Sequence, residues 1–125
     1  MSTAVLLIAH GSRRAEANQD LEYVAEALRA RGEYPIVEVC YLELAQPDIA
    51  TGAARCVEKG ASRLLLLPYF LSAGVHVSED LEEAGRSLVE RFGIPVVVAE
   101  PLGRHPLLVE IVCQRARAAE HRFTP

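Results

Sequence analysis

Apolar residues along this chain follow two rhythms. Four runs, Thr3–Ala9, Ile36–Leu42, Arg63–Tyr69 and Val96–Glu100, are nearly continuous and read as strands buried on both faces. Between and after them, apolar residues recur at helical spacing. The first helix is predicted over about Arg13–Arg31, with Leu21, Val24, Ala25 and Leu28 on its buried side, Ser12 as N-cap and Gly32 as its stop. The second is predicted to start with Pro47 in its first turn, to pack through Ile49, Ala53, Cys56 and Val57, and to stop at Gly60. The third is predicted over about Ser78–Phe92, with Glu79, Asp80, Glu82 and Glu83 near the positive end of its dipole. The fourth is predicted to start near Pro106 and to bury Leu108, Ile111, Val112 and Ala116, and residues 121–125 are expected to fray. Strict alternation of this kind predicts an α/β fold: a four-stranded parallel sheet with helices on both faces.

The chain also matches itself at an offset of 60 residues. Leu6-Leu7 corresponds to Leu66-Leu67, and Asp20-Leu21-Glu22 to Asp80-Leu81-Glu82. Leu28, Arg31, Pro35 and Val37 correspond to Leu88, Arg91, Pro95 and Val97. Two units sharing one binary pattern would explain the leucines and valines. An ancient duplication would also explain the Asp, Glu, Arg and Pro. His10 has no counterpart, because position 70 is Phe.

Composition narrows the class. A length of 125 residues fits one domain, 1–125, able to bury roughly 65% of its unfolded surface. A net charge of −4 without a basic stripe argues against nucleic acid as a partner. No apolar run approaches the ~20 residues of a membrane span. A strand beginning at Thr3 leaves no room for a signal peptide, and Cys40, Cys56 and Cys113 are too scattered for a metal motif. They read as reduced thiols, and a cytoplasmic location is expected.

Candidate chemistry collects after the strands, on the edge where open α/β sheets bind ligands. His10 follows the first strand, Glu43 the second, and a longer loop after the third leads to His76. Singly, each has a plain reading: a helix cap or hydrogen-bonded loop residue for the histidines, a solvated carboxylate for Glu43. Two imidazoles and a carboxylate converging from three loops suit a divalent first-row metal. His105 precedes Pro106 and reads as a cap, and His121 as an exposed terminal residue. Arg13, Arg14 and Arg104 near the same edge could hold an anionic ligand by bidentate hydrogen bonds. Arg13 and Arg14 oppose the dipole of a first helical turn, which favours such a task over simple solvation. Gly11 and Gly74 would let a ligand approach the backbone.

Three segments carry a resemblance. Leu7-Ile8-Ala9-His10-Gly11-Ser12-Arg13, Tyr41-Leu42-Glu43-Leu44-Ala45-Gln46-Pro47 and Pro68-Tyr69-Phe70-Leu71-Ser72-Ala73-Gly74-Val75-His76 resemble, in order, three motifs of the CbiX-type sirohydrochlorin chelatases. The length is similar to the short form of that family, half the size of its two-domain members. The resemblance implies the chelatase-like fold, with His10, Glu43 and His76 as metal ligands and catalytic residues. It implies Arg13, Arg14, Arg104, Ser12 and Gly74 as contacts to a carboxylate-rich tetrapyrrole. It further implies a homodimer, no resident cofactor, and a divalent metal as substrate: Co²⁺ first, Fe²⁺ or Ni²⁺ otherwise. The histidine-rich tail of some relatives is absent.

The chemistry suits these residues. Metal insertion removes two pyrrole N–H protons, and an imidazole, with an ordinary pKa of about 6.5, both ligates metal and accepts protons near neutrality. A shallow cleft on one small domain independently favours a dimer for so large a ligand. Two other readings compete. A phosphocarrier resembling mannose-type phosphotransferase IIA domains would use His10 as its phosphorylated residue, leaving Glu43 and His76 unexplained. A metal-binding module would lack catalysis. A histidine phosphatase ranks below the phosphocarrier, because Ala9 stands where its motif has Arg.

Overall fold

The structure is a computed structural model that describes residues 2–123. Strands β1 (Thr3–Ala9), β2 (Ile36–Tyr41), β3 (Arg63–Pro68) and β4 (Val96–Val98) alternate with helices α1 (Ala15–Arg31), α2 (Ile49–Glu58), α3 (Val75–Phe92) and α4 (Pro106–Glu120). All neighbouring strands are parallel, in the order β2-β1-β3-β4. The expected α/β architecture is therefore present. The chain leaves β1 toward β2 on one side, while β3 lies on the other, so the sheet's switch point falls between β1 and β3.

The pleat of β1 separates two cores. Ala4, Leu6 and Ile8 pack with Ala53 and Cys56 of α2 and with Leu81 and Leu88 of α3. Val5 and Leu7 face the opposite way, onto Leu21 and Ala25 of α1. A buried carboxylate protects the free side of β2: Glu38 accepts a hydrogen bond from Lys59 Nζ at 2.8 Å and lies 3.8 Å from Arg29. Arg29 also donates to the Val37 carbonyl, tying α1 to that edge strand.

The offset of 60 reappears in the register. Ala4 pairs with Ile36 and Leu64 with Val96, so β3–β4 repeats the pairing of β1–β2 sixty residues on. β1 and β3 pair at the same offset, Thr3 with Arg63 and Leu6 with Leu66. α1 and α3 lie on opposite faces. The strands do not follow the helices in this exchange of faces: Leu6 and its in-register partner Leu66 lie in the same core.

Several boundaries differ from the sequence reading. β2, β3 and β4 end one or two residues early, since Leu42, Tyr69, Ala99 and Glu100 already belong to the edge loops. α1 begins at Ala15 with Arg14, not Ser12, in the cap position. α2 begins after Pro47, because Asp48 caps the helix, its carboxylate accepting from the Thr51 N–H at 2.8 Å; the Gln46–Pro47 peptide before it is cis. α3 begins three residues earlier than expected, which moves its acidic residues out of the first turn. His105 caps α4 as predicted, Nδ1 accepting from the Leu107 N–H at 3.1 Å.

The largest correction concerns α4. Its apolar residues were expected to be buried, yet no residue of α4 is buried; Val112 is 67% exposed and Ile111 47% exposed. Val97 on β4 is 60% exposed on the face that α1 covers elsewhere. Amphipathic spacing identifies which side of a helix is apolar, but not what covers it. Residues 121–123 form a turn beyond α4, and the expectation for the last two residues lies outside the described residues.

Candidate functional site

The turn after β1 is held in place by its neighbours. Glu43 N–H donates to the His10 carbonyl at 3.0 Å, continuing the β1–β2 ladder past the ends of both strands. Gly11 takes φ +97°, and a Cβ there would overlap the Glu43 carbonyl oxygen. Only glycine lets the two loops approach so closely. Ser12 is latched to α1: its N–H donates to Asn18 Oδ1 at 3.0 Å, and Asn18 Nδ2 donates to the Ser12 carbonyl at 2.8 Å. The Tyr41 hydroxyl donates to the Asn18 carbonyl, and burial pushes its pKa up, keeping that donor protonated. The Ser12 hydroxyl accepts from the Arg14 N–H at 3.1 Å, so it orders the entry to α1 without being its cap residue.

The imidazole of His10 projects into solvent at the switch point. One face rests on Phe70, with ring centroids 4.5 Å apart and planes tilted by 31°. Phe70 is buried and is the residue that matches His10 at the offset of 60. His10 and Glu43 line a cavity of about 360 Å³ together with Leu42, Val77 and Asp80. Two of the three expected residues are therefore brought together.

His76 lies in the first turn of α3, not in the preceding loop, and does not line this cavity. Among the described residues, no three His, Cys, Asp or Glu side chains stand close enough to hold one ion directly. Gly74 is the cap residue of α3, and a Cβ there would meet nothing within 4 Å, so the helix start is open toward the edge.

The basic residues divide. Arg13 and Arg14 are exposed beside the His10 turn, and Arg14 lies 3.9 Å from Glu16. Arg104, in the left-handed region at φ 52°, lines a separate hollow of about 610 Å³ against α4. Sequence reasoning misses Asp80, Phe70 and Asn18. Asp80 is legible in principle, since it stands four residues from His76 and so on the same side of α3. Phe70 is marked by the internal match. Nothing local signals Asn18.

A family model described as CbiX matches residues 4–119. The chain belongs to the CbiX family. Among CbiX relatives, it is 37% identical over 112 residues to the chloroplastic sirohydrochlorin ferrochelatase of Arabidopsis thaliana, covering 89% of this chain and 50% of that protein. It is 31% identical to a sirohydrochlorin cobaltochelatase of Methanopyrus kandleri, covering 93% of this chain and 96% of that protein. The sirohydrochlorin chelatase SirB of Bacillus subtilis subspecies spizizenii, solved in complex with cobalt, superposes with a TM-score of 0.86 at 30% identity, over 94% of this chain and 51% of that one. The chain thus spans about half the length of some CbiX relatives and nearly the whole of another.

Proposed function

We propose that this chain is a sirohydrochlorin metal chelatase, inserting a divalent ion, Co²⁺ first and Fe²⁺ or Ni²⁺ otherwise, into the macrocycle. The reading rests on one placement: an imidazole and a carboxylate from two loops share a cavity at the switch point of a CbiX sheet. The ion and the tetrapyrrole are both substrates, and the reaction releases two protons as two pyrrole nitrogens become metal ligands. His10 and His76 hold the ion toward the ring and accept protons, while Glu43 offsets the charge of the ion. The His10 turn is pinned by Gly11, Asn18 and Tyr41, so the imidazole is presented without a large ordering cost. Arg13, Arg14 and Arg104 are assigned to the ligand's carboxylates, with Ser12 ordering the first two and Gly74 leaving the start of α3 accessible. The phosphocarrier reading gives no task to the carboxylates that share the His10 cavity.

The working unit is proposed to be a homodimer of single-domain subunits 1–125. A second copy covers the bare apolar side of α4 and the exposed face around Val97. Relatives about twice the length of this chain are in keeping with it. The free, largely buried thiols fit a reducing cytoplasm. No helix among the described residues is long and apolar enough to cross a membrane.

A chelatase assay with Co²⁺, Fe²⁺ and Ni²⁺, read by the absorbance of the macrocycle, tests the activity. Loss of insertion in His10→Ala and in His76→Ala is expected. Full insertion by both variants would overturn the assignment, and absence of insertion with all three ions would overturn the activity itself.

A further inference from the structure

The His10 cavity has an acidic side that the ligand set His10, Glu43 and His76 leaves unused. Asp80 lines it together with His10 and Glu43. α3 runs back from the strand ends, so Asp80 lies one helical turn, roughly 5 to 6 Å, deeper than His76 on the same side of the helix. Neither Glu43 nor Asp80 forms an ion pair among the described residues, while Arg14, Arg29, Lys59 and Arg117 are engaged with other carboxylates. Two carboxylates without counter-ions facing one cavity with an imidazole form a negative pocket.

Its dimensions indicate what it takes. No three of its donors are near enough to grip a bare ion directly. The space of about 360 Å³ exceeds the roughly 180 Å³ that six water molecules occupy at about 30 Å³ each. That volume leaves room for an octahedral hexahydrate, whose bound waters would donate to carboxylate oxygens and an imidazole nitrogen.

We propose that Asp80, with Glu43 and His10, receives the divalent cation in its hydrated form, before an imidazole replaces a water in its coordination shell. This rests on the chelatase reading for its place in the reaction. It adds a binding step and a residue that reading does not contain. Asp80 holds the ion's water shell below the ring-facing position; His10 and His76 then complete direct ligation.

Hexaamminecobalt(III) separates this step from direct ligation, because its ammines do not exchange and it binds only through its outer shell. At fixed ionic strength and without tetrapyrrole, calorimetric titration of the full chain is expected to show binding that weakens about tenfold in Asp80→Asn. Asp80→Glu should restore most of it, and Glu79→Gln, with the same charge change on an adjacent exposed residue, should not weaken it. In the insertion assay the complex should compete with Co²⁺, and Asp80→Asn should raise the KM for Co²⁺ more than that for the macrocycle. Equal binding by the native protein and Asp80→Asn, or equal weakening in Glu79→Gln, would overturn the inference. Asp80-dependent binding in a protein that inserts no metal would overturn the chelatase reading and leave the cation site standing.

Discussion

His10 and Phe70 follow the neighbouring strands β1 and β3, which pair at the same sixty-residue offset, and their rings lie together with centroids 4.5 Å apart. One loop contributes the reactive imidazole and the other the apolar surface that orients it. Phe70→Leu keeps apolar volume and removes the ring. The His10 ring protons are expected to lose their ring-current displacement in NMR spectra, and Co²⁺ affinity should fall several-fold. A stability loss of only about 1 kcal/mol should accompany it. Unchanged imidazole resonances would show that Phe70 does not orient His10.

Gly11→Ala tests the contact between the first two loops. The new Cβ overlaps the Glu43 carbonyl oxygen, and φ +97° is itself costly for any residue with a side chain. A loss of more than about 2 kcal/mol in urea unfolding is expected, together with loss of metal insertion. A variant as stable as the native protein would mean that the two loops part without cost.

The start of α2 should respond to acid. The Asp48 carboxyl is held below its ordinary pKa mainly by the hydrogen bond from the Thr51 backbone N–H. A lowered folded-state value means that its contribution is complete above the unfolded pKa of about 4 and is lost as pH falls through the folded value. Asp48→Ala should therefore cost about 1 kcal/mol at neutral pH. The gap between variant and native protein should close below pH ~4 in parallel thermal melts.

Thiol labelling should be graded by burial. Desolvation pushes the Cys56 thiol up to about 12 and the Cys40 thiol up further, so neither supplies thiolate at neutral pH. Cys113 is only half-buried. Iodoacetamide under native conditions is expected to add one label, at Cys113, and three after unfolding, as counted by mass spectrometry.

Much of this arrangement is legible in the sequence, and the gaps have specific causes. Continuous apolar runs locate every strand, because a sheet covered on both faces tolerates few polar residues there. Topology alone places His10 and Glu43 on one edge, since all strands of a parallel sheet end together. Ser12 misleads as a cap because its hydroxyl does accept from the backbone, two residues on, while Asn18 secures the turn from inside α1. Asp80 reads as a dipole partner only if α3 starts at Ser78, three residues too late. The exposure of α4 cannot be read from periodicity, which records an apolar side and not its neighbour.

Val112→Glu tests what covers that side. Val112 is largely exposed in the isolated subunit, so the change should spare the sheet and its packed helices, and far-UV circular dichroism should lose at most the helical signal of α4. Sedimentation velocity is expected to show the native chain as a dimer at micromolar concentration and the variant as a monomer. A native chain that sediments as a monomer would overturn the homodimer.

α4 spans fifteen residues and has none buried, which is about the length at which an isolated helix in water is only marginal. Its order must then be borrowed from whatever it lies against. If that is another copy of the chain, the amides of α4 will exchange with solvent at a rate set by protein concentration, while those of β1 will not. Dilution alone would unravel the last eighth of the molecule and leave the His10 turn standing.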